Sequence, residues 1–325
     1  MSAILVTGGA GYIGSHACKA LERAGYTPIC YDNLQRGHSW AVNWGPLEQG
    51  DILDRRRLDE VLRRYRPDAV MHFAAYAYVE ESVHHPEKYN KNNVEGSFTV
   101  LEAMRAYGIN KFIFSSSCAV YGIPQEDLLR EDHPIAPINP YGAGKSTVEK
   151  KLSEYSKQYD FQYVSLRYFN AAGADPDGDI GESHNPETHL VPLVLDTALG
   201  KQESINIYGN DYDTPDGTCI RDYIHVCDLA DGHIRGLQYI ETEKQSNIVN
   251  LGSGRGYSVK EIIETAREVT NMEINEKVAG RRPGDPPKLV ADIDYAKKIL
   301  DWEPQHSQID NIIETAWHWH IKNRE

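Results

Sequence analysis

Cysteine, positive charge and long apolar runs are all scarce in this chain of 325 residues. Its five cysteines show neither a Cys-x-x-Cys spacing nor a paired arrangement, which excludes a disulfide framework and a zinc ribbon. No apolar run approaches the roughly 20 residues of a membrane span, so we expect no membrane partner. The first residues pass directly into a short apolar strand without a basic and apolar leader. We therefore expect no signal peptide and a cytoplasmic location.

Lysine and arginine together number 34, against 48 aspartates and glutamates, which gives a net charge of −14. An acidic chain repels phosphate backbones at long range, and this argues against a nucleic acid partner. The charge leaves room for a small anionic ligand in a local basic pocket, provided that the acidic excess lies elsewhere. Hydrophobic residues make up 40% and charged residues 25% of the chain, which is typical of a globular protein.

Short apolar runs alternate with longer amphipathic stretches through the first half of the chain. The runs predict strands at 4–7, 28–32, 47–51, 69–73, 112–115 and 163–166. The amphipathic stretches predict helices at 15–24, 55–64, 92–107 and 141–159. Alternation at this spacing is typical of βαβ units, so the sequence predicts a doubly wound parallel α/β sheet with helices on both faces.

The pattern changes after residue 170. Residues 171–189 are rich in Gly, Asp, Pro and His, and the next segments predict a strand at 205–208 and helices at 191–199, 226–239, 259–270 and 309–321. The stretches 210–218 and 281–288 are predicted as turns and loop. We therefore expect a Rossmann-type domain at 1–170, with some exchange of strand and helix after residue 170, and a smaller α/β ligand-binding lobe at 171–325.

A glycine-rich segment, residues 7–14, follows the first predicted strand and opens the first predicted helix. Glycines at Gly8, Gly11 and Gly14 let a pyrophosphate approach the backbone, and the helix N-terminus offers free N–H groups. Asp32 lies 18 residues beyond Gly14, close to the spacing of a carboxylate that holds the adenosine ribose. A carboxylate there repels a 2′-phosphate, so NAD is favoured, although the neighbouring Arg36 leaves NADP open.

Two further strand ends point to the same edge of the sheet. Asp51 and Ile52 follow the third predicted strand and could reach an adenine, while Phe73, Ala74 and Ala75 offer backbone where a dinucleotide would cross. Strand-end capping and core packing are equally good explanations of these residues taken singly.

Tyr141 and Lys145 form a Tyr-x-x-x-Lys pair at the start of a predicted helix, where an i,i+4 spacing puts both on one face. A nearby ammonium, and the positive nicotinamide ring where present, would lower the pKa of Tyr141 from about 10 and let the phenolate accept a proton. Ser117 ends the fifth predicted strand and could bridge a substrate hydroxyl to Tyr141. The competing interpretation is a surface tyrosine beside a strand-capping serine.

The sequence resembles the extended short-chain dehydrogenase/reductase family and, within it, the UDP-glucose 4-epimerases, over residues 4–319. The motifs that carry the resemblance are 7–14, 31–34, 70–75, 92–94, 112–117 with 121–122, 139–141, 166–170, 186–190, 216–226 and 281–285. The last two are the most specific for enzymes that act on nucleotide sugars.

This resemblance implies an isomerase that interconverts UDP-glucose and UDP-galactose with tightly held NAD. Tyr141 would remove the 4-hydroxyl proton as hydride leaves C4, and the 4-keto sugar would turn over before hydride returns to its other face. Lys145 would also bind the nicotinamide ribose, and Ser117 would relay the proton. The family pattern further implies a homodimer, for which we predict helices 92–107 and 147–159 as the contact.

The resemblance also assigns the remaining site residues. The expected NAD contacts are Gly8, Gly11, Tyr12, Ile13, Gly14, Asp32, Asn33, Asp51, Ile52, Phe73, Ala74, Ala75, Asn92, Ser115, Tyr141, Lys145, Tyr168 and Phe169. The expected UDP-sugar contacts are Ser117, Tyr141, Asn170, His189, Leu190, Asn206, Ile207, Tyr208, Arg221, Arg282, Asp285 and Leu289. Independently of the family, the two guanidinium groups suit a diphosphate, and Asp285 suits ribose hydroxyls.

Three positions depart from the family pattern: Glu80 where a glycine is frequent, Ala77 in place of a cofactor-contacting lysine, and Leu289 in place of a bulky tyrosine. The smaller Leu289 suggests room for an N-acetyl group at C2 of the sugar. Alternatives therefore remain: a UDP-pentose or UDP-N-acetylglucosamine 4-epimerase, a sugar-nucleotide dehydratase or decarboxylase, or an NAD-sensing protein without activity. The sequence predicts no metal site.

Overall fold

The computed structural model describes residues 2–282 and 284–322. Pro283 of the 281–285 motif and residues 323–325 of the predicted second lobe lie outside this part. The strands, in chain order, are β1 (Ala3–Thr7), β2 (Thr27–Asp32), β3 (Leu47–Gln49), β4 (Ala69–His72), β5 (Lys111–Ser115), β6 (Gln162–Tyr168), β7 (Asn170–Ala172), β8 (Ile205–Tyr208), β9 (Ile220–His225), β10 (Asn247–Leu251), β11 (Gly256–Ser258), β12 (Glu276–Ala279) and β13 (Lys288–Leu289).

The helices are α1 (Tyr12–Arg23), α2 (Arg55–Tyr65), α3 (Val79–His84), α4 (Pro86–Tyr89), α5 (Gly96–Ala106), α6 (Pro140–Gln158), α7 (Leu190–Ala198), α8 (Val226–Glu243), α9 (Val259–Thr270), α10 (Asp294–Leu300) and α11 (Ile309–Lys322). A π-helical turn at Asn90–Glu95 joins α4 to α5, where the sequence predicted one continuous helix from 92 to 107. Within the described residues, no helix has the length and apolar character needed to cross a membrane.

Seven strands form the main sheet in the order β10-β6-β5-β4-β1-β2-β3, and every neighbouring pair is parallel. The predicted parallel sheet covered on both faces is therefore confirmed. Parallel pairing brings the carboxyl ends of β1, β2, β4 and β5 to one edge, where the predicted site residues follow the strands.

Successive side chains of a strand point to opposite faces, so the sheet has two cores. One face packs against α2, α5 and α6 through residues such as Leu5, Val70 and Phe112. The other face packs against α1, α8 and α10 through residues such as Ile4, Met71 and Val164. Burial of these apolar side chains on both faces fixes the sheet and leaves its carboxyl edge to carry the site.

Short strands in the second half of the chain escaped the sequence analysis. A second sheet joins β11, β9 and β13 with β7 against β9, and β8 pairs with β12. Helices α7, α9 and α11 share a third core with β8. Strand β10 joins the main sheet, and α8 and α10 pack against it. The sequence predicted an exchange of strand and helix after residue 170, but it did not predict β10, because a five-residue strand gives no information about its distant partner.

Candidate active site

The glycine-rich segment forms a tight turn between β1 and α1. Gly8 has a φ of +74°, and a Cβ there would lie 2.6 Å from the backbone nitrogen of Ala74. A Cβ at Gly14 would lie 2.1 Å from the carbonyl oxygen of Gly8. Glycine is therefore required for the loop itself, and the bare backbone at the N-terminus of α1 leaves free N–H groups for a pyrophosphate.

Asp32 ends β2 beside this turn. Its carboxylate accepts hydrogen bonds from the backbone nitrogens of Ala10 at 3.1 Å and Leu34 at 2.8 Å. Burial raises the pKa of Asp32, and these two N–H groups oppose that rise. A carboxylate held in this way has lone pairs left for ribose hydroxyls. Arg36, which left NADP open, donates to the carbonyl of Asn185 at 2.6 Å.

A cavity opens at the carboxyl edge of the sheet over the glycine turn. It brings together half of the predicted NAD contacts: Gly8, Gly11, Asp32, Asn33, Ile52, Phe73, Ala74, Ala75 and Asn92. The lining residues that were not among the predicted NAD contacts are Tyr31, Gln35, Arg36, Gly37, Gly50 and Tyr76. A Cβ at Gly50 would lie 2.5 Å from the Tyr31 hydroxyl oxygen, so the two segments of the chain approach closely here. A glycine within the predicted strand 47–51 was the sequence signal that could have indicated this approach.

Other predicted NAD contacts lie beside this cavity without lining it. Tyr12 donates its hydroxyl proton to the carbonyl of Gly173 at 2.6 Å, and Ile13 packs against the core beneath the sheet. Asp51 accepts a hydrogen bond from Asn33 at 2.9 Å, which places it behind the lining. Phe169 is buried in a small cluster with Val120 and Tyr121.

The side chains of Tyr141, Lys145 and Ser117 come together where α6 meets the ends of β5 and β6. Asn139 caps α6 by accepting from the Gly142 N–H at 2.8 Å, and this fixes the first turn that carries Tyr141. The Ser117 hydroxyl lies beside the Tyr141 phenol and lowers its pKa. Lys145 donates to the Ser115 carbonyl at 2.6 Å. The predicted i,i+4 pair therefore shares one buried face of the helix.

The charge state of this group differs from the sequence-based expectation. Burial raises the pKa of Tyr141 well above its usual value, and the Ser117 hydroxyl opposes this only in part. Burial also lowers the pKa of Lys145 to about 7, while the carboxylate of Glu149 opposes that fall. The protein alone therefore keeps the phenol protonated. A positive nicotinamide ring would be needed to favour the phenolate.

Lys145 gives a stability that depends on pH in the nucleotide-free protein. Its proton leaves the folded state near pH 7 and the unfolded chain near pH 10.4. Between these values the unfolded state binds more protons, so the contribution of Lys145 to stability rises with pH. We expect the free energy of unfolding of Lys145→Met to exceed that of the wild type by the largest amount near pH 7, and this difference to shrink toward pH 10.

Urea unfolding of both proteins across this pH range measures the effect. The exposed Lys150, on the same helix, provides the matched control Lys150→Met. A difference between Lys145→Met and the wild type that stays constant with pH, as in the control, would contradict the burial of a titrating ammonium.

Glu149, one further turn along α6, is a site residue that the sequence analysis missed. Its carboxylate pairs with the guanidinium of Arg167 at 2.7 Å, and both side chains are only about 5% exposed. It also accepts hydrogen bonds from Ser116 at 2.7 Å and Ser165 at 2.9 Å. One buried anion thus ties the helix that carries Tyr141 to the two strands beside it.

Two of the residues predicted to contact the UDP-sugar lie on neighbouring strands, β9 and β13. Arg221 of β9 pairs with Asp285 and donates to the carbonyl of Pro286 at 2.8 Å. Leu289 of β13 lies opposite Arg221 in register and packs against the cluster that contains Cys118, next to Ser117. These contacts connect Arg221, the cation predicted to bind the diphosphate, to the segment that carries Ser117.

The remaining predicted substrate contacts surround this point. The guanidinium carbon of Arg282 lies 4.0 Å from the centre of the Tyr208 ring at the end of β8, a cation–π contact. Asn206 and Ile207 lie on the same strand. Asn170 donates to the carbonyl of Asp222 at 2.9 Å. His189 caps α7, which begins at Leu190, and its imidazole contacts the carboxylate of Glu182.

Comparison with known proteins agrees with this geometry. Residues 4–252 match the model of the NAD dependent epimerase/dehydratase family. A UDP-glucose 4-epimerase from Rhizobium meliloti (strain 1021) is 51% identical over 322 residues, which cover 99% of this chain and 98% of the relative. Two solved structures are also similar along their full length.

The UDP-glucose 4-epimerase from Brucella ovis, solved with NAD, is 48% identical, has a TM-score of 0.96 and is matched over 98% of each chain. The enzyme from Bifidobacterium longum, solved with NAD+ and UDP, is 36% identical with a TM-score of 0.94 over 99% of each chain. The family match and these full-length similarities agree with the glycine turn and the buried Tyr141 group, and the chain belongs to the NAD dependent epimerase/dehydratase family.

Proposed function

We propose that this chain is a UDP-glucose 4-epimerase, an isomerase that interconverts UDP-glucose and UDP-galactose with bound NAD. The observation that carries the proposal is the similarity to proteins of this activity along the whole chain, 51% identical over 322 residues. The buried Tyr141, Lys145 and Ser117 group beside a glycine-lined cavity supports it chemically.

The chain fits NAD on its own residues. The positions where a Cβ would strike the backbone, Gly8 and Gly14, leave a bare turn for the pyrophosphate, and Asp32 offers oxygens to a ribose. When bound, NAD supplies the acceptor and donor of the hydride at C4 of the sugar. We propose the full predicted set of contacts, with Gln35, Gly37, Gly50 and Tyr76 added from the cavity.

Tyr141 holds the proton of the reaction in this proposal. Once a bound nicotinamide ring favours the phenolate, the Tyr141 oxygen would accept the 4-hydroxyl proton of the sugar, directly or through the Ser117 hydroxyl. Lys145 keeps its ammonium fixed to the Ser115 carbonyl, within 5.7 Å of the Tyr141 ring centre. An ammonium at this distance stabilises a phenolate when the site is dry. The 6% exposure of Tyr141 supports exclusion of water.

The second lobe holds the UDP part in this proposal. Arg221 and Arg282 offer guanidinium groups to the diphosphate, and Asp285 offers a carboxylate to the ribose hydroxyls. Arg221, Arg282 and Asp285 together carry a net charge of +1, although the whole chain carries −14. We retain the whole predicted set of substrate contacts, including Asn170, His189 and the 206–208 segment.

Turnover without added cofactor tests the function. Purified protein incubated with UDP-galactose alone should form UDP-glucose, detected by NMR, because NAD is regenerated in each cycle. Release of NADH would indicate a dehydrogenase, and loss of water from the sugar would indicate a dehydratase. Either result, or no reaction in protein that contains NAD, would overturn the proposal.

Leu289 gives the sugar pocket a smaller wall than a tyrosine would. We expect the wild type to epimerise UDP-N-acetylglucosamine, and Leu289→Tyr to lose this activity by about 10–200-fold, the range for a pocket that no longer fits a small group. Activity on UDP-galactose should change less. The exposed Leu128 provides the control Leu128→Tyr, and wild-type turnover of the N-acetyl sugar at background would refute the role of Leu289.

We also propose the broader setting of the enzyme: a cytoplasmic homodimer of two-lobed chains, active in galactose metabolism. The dimer would form through α5 and α6. Tyr107 and Tyr159, 38% and 42% exposed at the C-terminal ends of these helices, support a contact there. Light scattering of the purified protein measures the mass, and a monomer at micromolar concentration would exclude the dimer.

A further inference from the structure

Four potential metal ligands converge on one point in the segment between β7 and α7. Glu182, His184, Glu187 and His189 follow each other in a Glu-x-His-x-x-Glu-x-His pattern, and their ligand atoms all lie within 4.8 Å of one another. We propose that these four side chains form a structural site for a divalent transition metal, with Zn²⁺ as the natural probe. The proposal does not depend on the proposed epimerase activity; His189, which is also a proposed substrate contact, would bind the ion through Nδ1 and keep Nε2 for the substrate.

The distances between the ligand atoms suit a tetrahedral ion. Nδ1 of His184 lies 3.0 Å from Oε1 of Glu182 and 3.7 Å from Oε2 of Glu187, and Nδ1 of His189 lies 3.7 Å from Oε1 of Glu187. A tetrahedral zinc with bonds of 2.0–2.1 Å has ligand atoms about 3.3–3.4 Å apart. Nδ1 of His189 and Oε1 of Glu182 lie closer together than this and would have to separate to admit the ion, while the three distances above lie within a few tenths of an ångström of it.

The environment of the cluster also favours a metal. The side chain of Glu182 is 4% exposed and that of Glu187 is 14% exposed, so two carboxylates draw positive charge into a largely dry site. Nδ1 of His184 is buried and makes no well-directed hydrogen bond within residues 2–282 and 284–322. One divalent ion would balance both carboxylates and give this nitrogen a better-directed partner than the carboxylate of Glu182.

The ligand types select among metals. Imidazole nitrogen suits zinc and its transition-metal neighbours, whereas calcium and magnesium take oxygen ligands. Four protein ligands fill a tetrahedron and leave no open position, which is typical of structural sites. A second cluster, at Asp175, Asp177 and Asp179, already holds the ammonium of Lys19 at 2.6–2.9 Å and has no need of an ion.

The ion would fix a segment that reaches both halves of the candidate active site. The carbonyl of Asn185 accepts from Arg36 at 2.6 Å, and the carbonyl of Ser183 accepts from His38 at 2.8 Å, both beside the nucleotide cavity. At its other end the segment runs into His189, the cap of α7. A metal on the side chains would hold in place the loop whose carbonyls make these contacts.

The sequence analysis predicted no metal site, and the metal pattern that it tested was the cysteine spacing. In this segment two histidines alternate with two glutamates over eight positions, and the turn of the chain between 182 and 189 brings all four side chains together.

Metal titration of the full-length protein tests the site. After chelation and dialysis, Zn²⁺ should bind at one ion per chain by calorimetry, Co²⁺ should give the visible absorption of a tetrahedral site, and Zn²⁺ should raise the midpoint of thermal unfolding. His184→Gln should weaken binding by at least 10–100-fold, since even the loss of a hydrogen-bond partner of a ligand costs about that much.

The exposed His84 provides the matched control, and His84→Gln should bind like the wild type. Glu187→Gln serves as a second ligand variant should His184→Gln fail to fold, and it should also weaken binding. No stoichiometric binding to the wild type would overturn the proposal. Binding that is equal in the wild type and the ligand variants would do the same, since it would identify an adventitious ion only.

Discussion

Tyr141→Phe should lower kcat for the interconversion of UDP-galactose and UDP-glucose by about 10²–10⁴-fold, the usual contribution of a positioned general base. The variant loses a single oxygen, and the ring that fills the buried site stays in place. Folding and NAD content should therefore be unchanged. Product formation followed by NMR gives kcat, and the absorbance of nucleotide released by acid gives the NAD content.

A tyrosine at the far end of the same helix supplies the control. Tyr159 is 42% exposed, and Tyr159→Phe should retain the wild-type kcat. A Tyr141→Phe variant that keeps its NAD and loses less than about 10-fold in kcat would show that another group carries the proton. Loss of NAD together with activity would instead identify Tyr141 as a binding residue.

Glu149→Gln should destabilise the protein by about 3–5 kcal/mol, because the guanidinium of Arg167 would remain buried without its partner charge. The neutral amide can still bond to Ser116 and Ser165, so the loss of charge is the main change. Urea unfolding of the wild type and the variant at pH 7 measures the difference. Since Glu149 also opposes the fall in the pKa of Lys145, the variant should release that proton at lower pH.

Glu154, on the exposed side of the same helix, offers the comparison. It pairs with Lys151 at 3.6 Å and is 59% exposed, so Glu154→Gln should cost less than about 1 kcal/mol. Equal stability of the two variants would show that water reaches the Glu149 pair and would remove its role in holding α6.

Features that repeat along the chain could be predicted from the sequence. Apolar runs at the right spacing predicted six of the seven strands of the main sheet, because a buried parallel strand is apolar on both faces. The i,i+4 spacing of Tyr141 and Lys145 predicted a shared face, because helix geometry alone decides it. The glycine turn was predictable since Gly8 and Gly14 serve a local backbone contact.

Features that depend on distant partners could not be predicted. Glu149 of α6 pairs with Arg167 of β6, and nothing in the sequence indicates that these two charged residues are buried together. Burial by the fold determines the pKa of Tyr141. The neighbouring lysine in the sequence predicted a lowered pKa, whereas the pKa is raised in the protein without NAD. Strands β11 and β13 have three and two residues and are too short to carry a pattern. Strand β9 has six residues, but polar and charged residues interrupt its apolar ones, so it gives no apolar run.

Strand β10, at 247–251, pairs with β6, at 162–168, although almost 80 residues separate the two strands in the sequence. Until residue 251 has been synthesised, β6 is an edge strand with a row of unpaired N–H and C=O groups, and the sheet face that α8 covers is open. A chain that stops at residue 170 would therefore present a template for aggregation. We therefore expect residues 1–170 expressed alone to aggregate, and division of the chain at that point to prevent folding.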